Sequence, residues 1–243
     1  MIEPLPQTNG ARTPLWGLGA TIAWSALIAL TFVSLQFGTL FAFAAAGYPV
    51  ESGAYDGALI ACASLATGIV CTALVVGIVK LKRGSSITGY LRVKPVPAGT
   101  LFKWLAVTFA LIAIADFITV FTGRPIVPEF MQKAYATADP LWVFWIALVV
   151  AAPLFEEVFF RGFLFAGLAS SAVRPAGAII VTALVWAVIH LQYDTYEIGL
   201  IVCFGLALGA ARVATDSLIV PFVMHATMNL VATIETAVTT NLV

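Results

Sequence analysis

Glu156 and Glu157 stand side by side in a run of apolar residues, and Arg161 follows one helical turn later in Glu156-Glu157-Val158-Phe159-Phe160-Arg161. Ionisable side chains inside apolar segments are costly and mark function by default. On a helix, positions four apart share a face, so Glu157 and Arg161 read as an internal ion pair in the favourable acid-first order. Glu156 points about 100° away and reads as the unpartnered carboxylate facing a cavity. Pro153, one turn earlier, removes a backbone donor and can kink the helix. The chain has two histidines, and both fall in apolar runs: His190, which closes Trp186-x-x-x-His190, and His225, which opens His225-x-x-x-Asn229. The second spacing puts His225 and Asn229 on one face. A carboxylate and two neutral imidazoles in a wet pocket suit water activation, with Glu156 as general base and His190 sharing the water. His225 and Asn229 can aim donors at one developing oxyanion. The reaction class that fits is hydrolysis of an amide bond. Zinc-protease, serine-nucleophile and aspartyl signatures are absent from the sequence.

Each feature alone has a plainer reading, since a buried histidine is usually a satisfied packing residue and Glu-x-x-x-Arg is often only an intrahelical pair. Together, in apolar segments, they favour chemistry. Asp116 is a further buried acid, read either as lining the same cavity or as a packing residue. Gly205 and Gly209, four apart, permit close helix contact.

These residues need helices to position them, and the composition says in what solvent. Hydrophobic residues make up 61% of the 243-residue chain and charged residues 10%, against about 45–50% and 25% in soluble domains. The solvent is a lipid bilayer. Twelve basic and twelve acidic residues leave no basic face for nucleic acid. The expected fold is all-α, a polytopic bundle of about seven spans near 15–46, 58–79, 101–121, 141–168, 176–191, 198–211 and 218–237, each judged against the roughly 20 residues a span needs. The first is long enough to tilt or to hold an extra turn, and the fifth and sixth are short enough to need shielding by neighbours. Ala42-Phe43-Ala44 resembles a signal-peptidase site but follows too long an apolar run, so it reads as uncleaved. Residues 1–14 form a cytoplasmic tail and 15–243 a single membrane domain, with the chemistry in 141–235. With the N-terminus cytoplasmic, ten Lys and Arg, from Arg12 to Arg212 and including Arg161, fall on the inner side and Arg124 and Lys133 on the outer, as positive charge inside requires. Glu51, Asp56 and Glu129 are among the acids near outer ends. The 80–100 loop reads as a basic linker meeting anionic lipid heads. Cys62, Cys71 and Cys203 lie in apolar runs and imply no disulfide.

Four motifs in order, Glu156-Glu157-x-x-x-Arg161, Trp186-x-x-x-His190, Gly205-x-x-x-Gly209 and His225-x-x-x-Asn229, resemble those of the CPBP family, the CAAX prenyl proteases and bacteriocin-processing enzymes also called Abi. Trp186 stands where that family most often has Phe. The resemblance implies an intramembrane glutamate-dependent endopeptidase with a cavity open to the cytosol. It implies Glu156 and His190 as water-activating residues, His225 and Asn229 as oxyanion donors, and Glu157, Arg161 and Trp186 as organisers of the site. Zinc on Glu and two His is conceivable, but a metal-free site is preferred because His225 with Asn229 suits oxyanion donation. Implied partners are a peptide or membrane-protein substrate and the bilayer, in a bacterial cytoplasmic membrane. Two other readings are a non-proteolytic immunity or scaffold protein of the same fold and a proton-coupled transporter, the latter without the internal repeat it should show.

Overall fold

The structure, a computed structural model, describes residues 13–48 and 55–241. The tail up to Arg12, and Glu51, expected near an outer end, lie outside the described residues. Those described form nine helices and no strand: α1 (Leu18–Ala45), α2 (Gly57–Leu81), α3 (Ile87–Leu91), α4 (Ala98–Phe121), α5 (Glu129–Ala136), α6 (Leu141–Ala169), α7 (Arg174–Val188), α8 (Thr195–Thr215) and α9 (Ile219–Asn241). With side chains apolar all round, these helices bury no single stripe as helices of soluble proteins do. Their starts carry local signals: Asp56 caps α2 through the amide of Leu59, and Asp194 caps α8 in a capping box with Glu197. Both devices satisfy amides that a helix start leaves without partners.

Six helices, α1, α2, α4, α6, α8 and α9, are long and apolar enough to cross a membrane. α1 is one uninterrupted helix of 28 residues, so its length goes into helix and not into an extra turn. The sixth apolar run is longer than its core suggests, because polar caps extend it to the 21 residues of α8. α7 has 15 residues, or about 22 Å at 1.5 Å per residue. It packs closely on α8, yet Ile180, Leu184 and Val188 stay exposed. The shielding expected of it is therefore one-sided: α8 covers one face and the other is left for lipid.

The bundle has two dissimilar ends. At one, α3 is pinned beneath the helices: Tyr90 and Leu91 are buried, and the amide of Leu218 donates to the carbonyl of Arg92. The 80–100 segment is thus a docked element and not a bare linker. Two of its cations, Arg92 and Lys94, pair with Asp216. The packed core of the molecule lies toward this end, around Val75, Tyr90, Phe163, Leu164, Leu208 and Val220. At the other end α5 lies against α2 and α9, and Arg124 bridges to Asp194 at 2.5 Å. That guanidinium, with the amide of Glu197, holds the Asp194 carboxyl well below the ordinary carboxylate range. Arg161, counted above among the inner-side loop charges, is not a loop residue: it is fully buried inside the bundle.

Candidate active site

The site forms where α6, α7, α8 and α9 meet. α6 is not a uniform helix. It widens to π-helix over Ala147–Ala151 and again over Glu157–Leu164, with a short α-helical stretch at Ala152–Glu156 between. Inserted π turns are rare and cluster at functional sites. Here they have a local cause and a local use. In the first π turn the amide of Ala152 bonds the carbonyl five residues back, Ala147. The next amide in that register would belong to residue 153, which is proline and has none. The carbonyl it would have reached, Leu148, accepts instead from Nδ2 of Asn229 at 2.8 Å. Pro153 and Asn229 thus fix α6 to α9 at the level of the site.

The second π turn carries Glu157 and Arg161, both fully buried, in a 2.9 Å ion pair. The pair expected from α-helical spacing survives the change of helix type. Oε1 of Glu157 also takes Nδ1 of His225 at 2.9 Å, and Arg161 donates to the carbonyl of Gly205 at 3.1 Å. Gly205 and Gly209 let α7 and α8 touch: a Cβ on Gly205 would stand 3.0 Å from Cβ of Ala183 and 3.1 Å from the Trp186 ring. The small-residue stripe therefore also sets the carbonyl that receives Arg161.

Glu156 is not unpartnered, contrary to the sequence reading. The indole N–H of Trp186 donates to its Oε2, and Nε2 of His225 stands 3.9 Å from the same oxygen. The Trp186 ring holds both imidazoles edge-to-face with centroids at 5.1 Å, and the Arg161 guanidinium lies 4.8 Å from it. A Phe at this position would supply the ring and not the donor. His190 sits just past the end of α7, its Nδ1 at 2.9 Å from the carbonyl of Trp186. A carbonyl only accepts, so Nδ1 carries the proton and Nε2 of neutral His190 is left as an acceptor. By the same logic Nδ1–H of His225 donates to the Glu157 carboxylate.

Glu156, Trp186, His190, His225 and Asn229 all line one cavity of about 770 Å³. Asp116 is on the same wall, whereas Glu157, Arg161, Gly205 and Gly209 lie outside the lining. Sequence reading passed over Tyr193, Glu197 and Glu235, which also line it. Glu235 carried a usable signal, since it continues the face of α9 that runs through His225, Met228, Asn229 and Ala232. Tyr193 and Glu197 belong to a turn and a cap, where no periodicity points inward. Burial pushes the Tyr193 phenol above its ordinary value, so it stays protonated as a donor. Among the described residues no three His, Cys, Asp or Glu side chains are gathered closely enough to hold a metal ion.

The cavity runs from mid-bundle toward the α5 end, walled by Leu59 and Ile60 at the start of α2, Phe130 and Met131 of α5, and Leu200 and Ile201 at the start of α8. Below Glu156 the interior is the packed core already described. The cavity thus extends toward the end opposite the basic segments.

Residues 138–231 match the family model described as Type II CAAX prenyl endopeptidase Rce1-like, a stretch that contains all four motifs. No curated protein and no solved structure matches the chain.

Proposed function

With its segment 138–231 a member of the Rce1-like prenyl endopeptidase family, we propose that this integral membrane protein hydrolyses a peptide bond inside its cavity with water activated by Glu156 and His190. The observation that carries the reading is the pairing of Glu156 Oε2 with His225 Nε2 across 3.9 Å on the cavity wall. That gap is too long for a direct hydrogen bond and suits one water held about 2.8 Å from each atom. His225 carries a proton on Nε2 as well as Nδ1 and donates to this water. Glu156 takes one of the water's protons as the water oxygen attacks the carbonyl carbon, and the acceptor Nε2 of His190 receives the other hydrogen and orients the nucleophile. The proton passes on to the leaving amine. The oxyanion that forms is met by Asn229, whose amide has a second N–H beyond the one given to Leu148. His225 joins it through the Nε2–H that the water releases on attack. Glu157 and Arg161 hold the His225 ring in place. No metal enters this scheme, and the substrate is a peptide or a membrane-protein segment.

The test is a comparison of protein termini in cells carrying the wild type and Glu156→Gln. The amide still accepts the Trp186 N–H but cannot take a proton, so the expected result is a set of termini that vanish, with the variant folded and inserted. On a peptide built from such a site, the rate should fall by about 10²–10⁴-fold, and a chelator should leave the wild-type rate unchanged. Full activity in Glu156→Gln would remove the assignment.

A further inference from the structure

We propose that a pocket between α3, α6 and α8 binds the phosphate of an anionic phospholipid, held by Arg92 and Arg212 with Phe165 and Val213 as its apolar wall. The site stands apart from the catalytic cavity and does not depend on the endopeptidase reading.

The first observation is the pocket itself. It measures about 260 Å³ and shares no lining residue with the cavity that holds Glu156. That is room for a headgroup and less than a drug-sized ligand fills. The elements that line it do so at their ends: Leu15 just ahead of α1, Arg92 just past α3, Ala169 closing α6, Pro175 opening α7 and Val213 near the end of α8. The ends of membrane-spanning helices stand at the level of the lipid headgroups.

The second observation is a buried guanidinium with donors to spare. Arg212 is only 4% exposed. Its Nε donates to the carbonyl of Arg161 at 3.1 Å and its Nη1 to Asp216 at 3.2 Å. Its Nη2 has no hydrogen-bond partner among the described residues. Two bonds therefore fix the plane of the fork while a third donor is left for the pocket that Arg212 lines. Arg92 lines the same pocket and meets Asp216 only through Nε, at 3.5 Å, so both of its Nη atoms are free among the described residues. Guanidinium forks match phosphate oxygens in geometry as well as in charge.

The third observation is the charge balance. Arg92, Lys94 and Arg212 converge on one acid, Asp216. The excess of positive charge favours a headgroup with a net negative charge over a zwitterionic one, as basic pockets between membrane helices do. Beside it the surface is apolar: the Arg212 guanidinium lies 5.4 Å from the Phe165 ring, and Val213 is exposed. A phospholipid presents the same junction of charge and hydrocarbon.

The backbone agrees. Among the described residues the non-glycine positions with left-handed φ are Arg92 at 59°, Arg174 at 60° and Asp216 at 46°. Arg92 and Asp216 line the pocket, and Arg174 directly precedes Pro175 of its wall. The conformation costs an arginine free energy that a glycine would not lose, and such outliers gather at ligand clamps.

The test uses the full chain in a neutral detergent, with native mass spectrometry reading bound lipid as dioleoyl phosphatidylglycerol or dioleoyl phosphatidylcholine is titrated. One phosphatidylglycerol should bind at least tenfold more tightly than phosphatidylcholine and should raise the melting temperature. Arg92→Gly removes the charge and eases the backbone, and Ser170→Glu puts a carboxylate on the exposed rim. Each should weaken phosphatidylglycerol binding at least tenfold. Arg83→Gln removes an exposed cation outside the pocket and should bind as the wild type does. Without lipid, Arg92→Gly should melt no lower than the wild type; if it does, Ser170→Glu decides alone. Equal binding of the two lipids overturns the anionic preference. Unchanged binding in the pocket variants, or an equal loss in Arg83→Gln, overturns the site in favour of diffuse attraction. Inorganic phosphate at the lipid's concentration should leave the melting temperature unmoved. A shift equal to that from phosphatidylglycerol would make a free ion the ligand and overturn the lipid assignment.

Discussion

At the scale of single residues, the buried pair of Glu157 and Arg161 sets the cost of disturbing the site. One carboxylate oxygen takes both Arg161 and His225, while Oε2 of Glu157 and Nε of Arg161 have no hydrogen-bond partner among the described residues. Removing either member strands the other as an uncompensated buried charge, which costs about 3–5 kcal/mol. Glu157→Ala and Arg161→Ala should each lower the melting temperature in detergent. The double variant should lose less than the sum, because the stranded charge goes with its partner. Equal melting temperatures for wild type and both single variants would contradict the pair. This interaction was legible in the sequence, since its partners are four positions apart on one helix. The bond from Trp186 to Glu156 was not, because it joins residues thirty positions apart whose meeting depends on how α7 packs against α6.

At the scale of the helical element, the π turns of α6 tie shape to chemistry. If Leu148 gives its carbonyl to Asn229 because Pro153 offers no amide, the two residues are energetically coupled. Asn229→Leu should cost about 1–3 kcal/mol by leaving that carbonyl buried and unsatisfied. Pro153→Ala in the same chain supplies an amide and should restore part of the loss without restoring cleavage. Thermal melts of the two single variants and the double give the coupling directly, and strict additivity would sever the link. The contact of α7 with α8 offers a second check. Gly205→Val places methyl groups against Ala183 and Trp186, and overpacking of this kind costs about 1–3 kcal/mol. It also shifts the carbonyl that receives Arg161, so activity should fall further than stability, read as cleavage rate in the folded fraction. Helix spacing alone revealed the small-residue stripe, whereas a π register cannot be read from spacing.

At the scale of the whole molecule, a packed end around α3 and a cavity reaching toward α5 divide the bundle. The α5 end is held by Arg124, Asp194 and the cap of α8. Asp194 has its folded pKa below the unfolded value, chiefly through Arg124. Its contribution is therefore complete above the unfolded pKa of about 3.9 and is lost as pH falls through the folded value. Melts of wild type and Asp194→Ala should differ at neutral pH and converge on acidification below about pH 4. A gap that widens in acid would contradict the bridge.

The amino-acid sequence determined, without help, that the chain is a helical bundle in lipid, where its long apolar helices run, and which polar side chains are too costly there to be idle. Composition, 3.6-residue periodicity and the price of buried charge are local properties, and they are complete in one dimension. Tertiary packing alone decided that Trp186 would serve Glu156, that His225 would lie between two glutamates, and that the cavity would reach from mid-bundle toward α5. Each of these depends on the distance between helices far apart in the chain, which no spacing along it encodes.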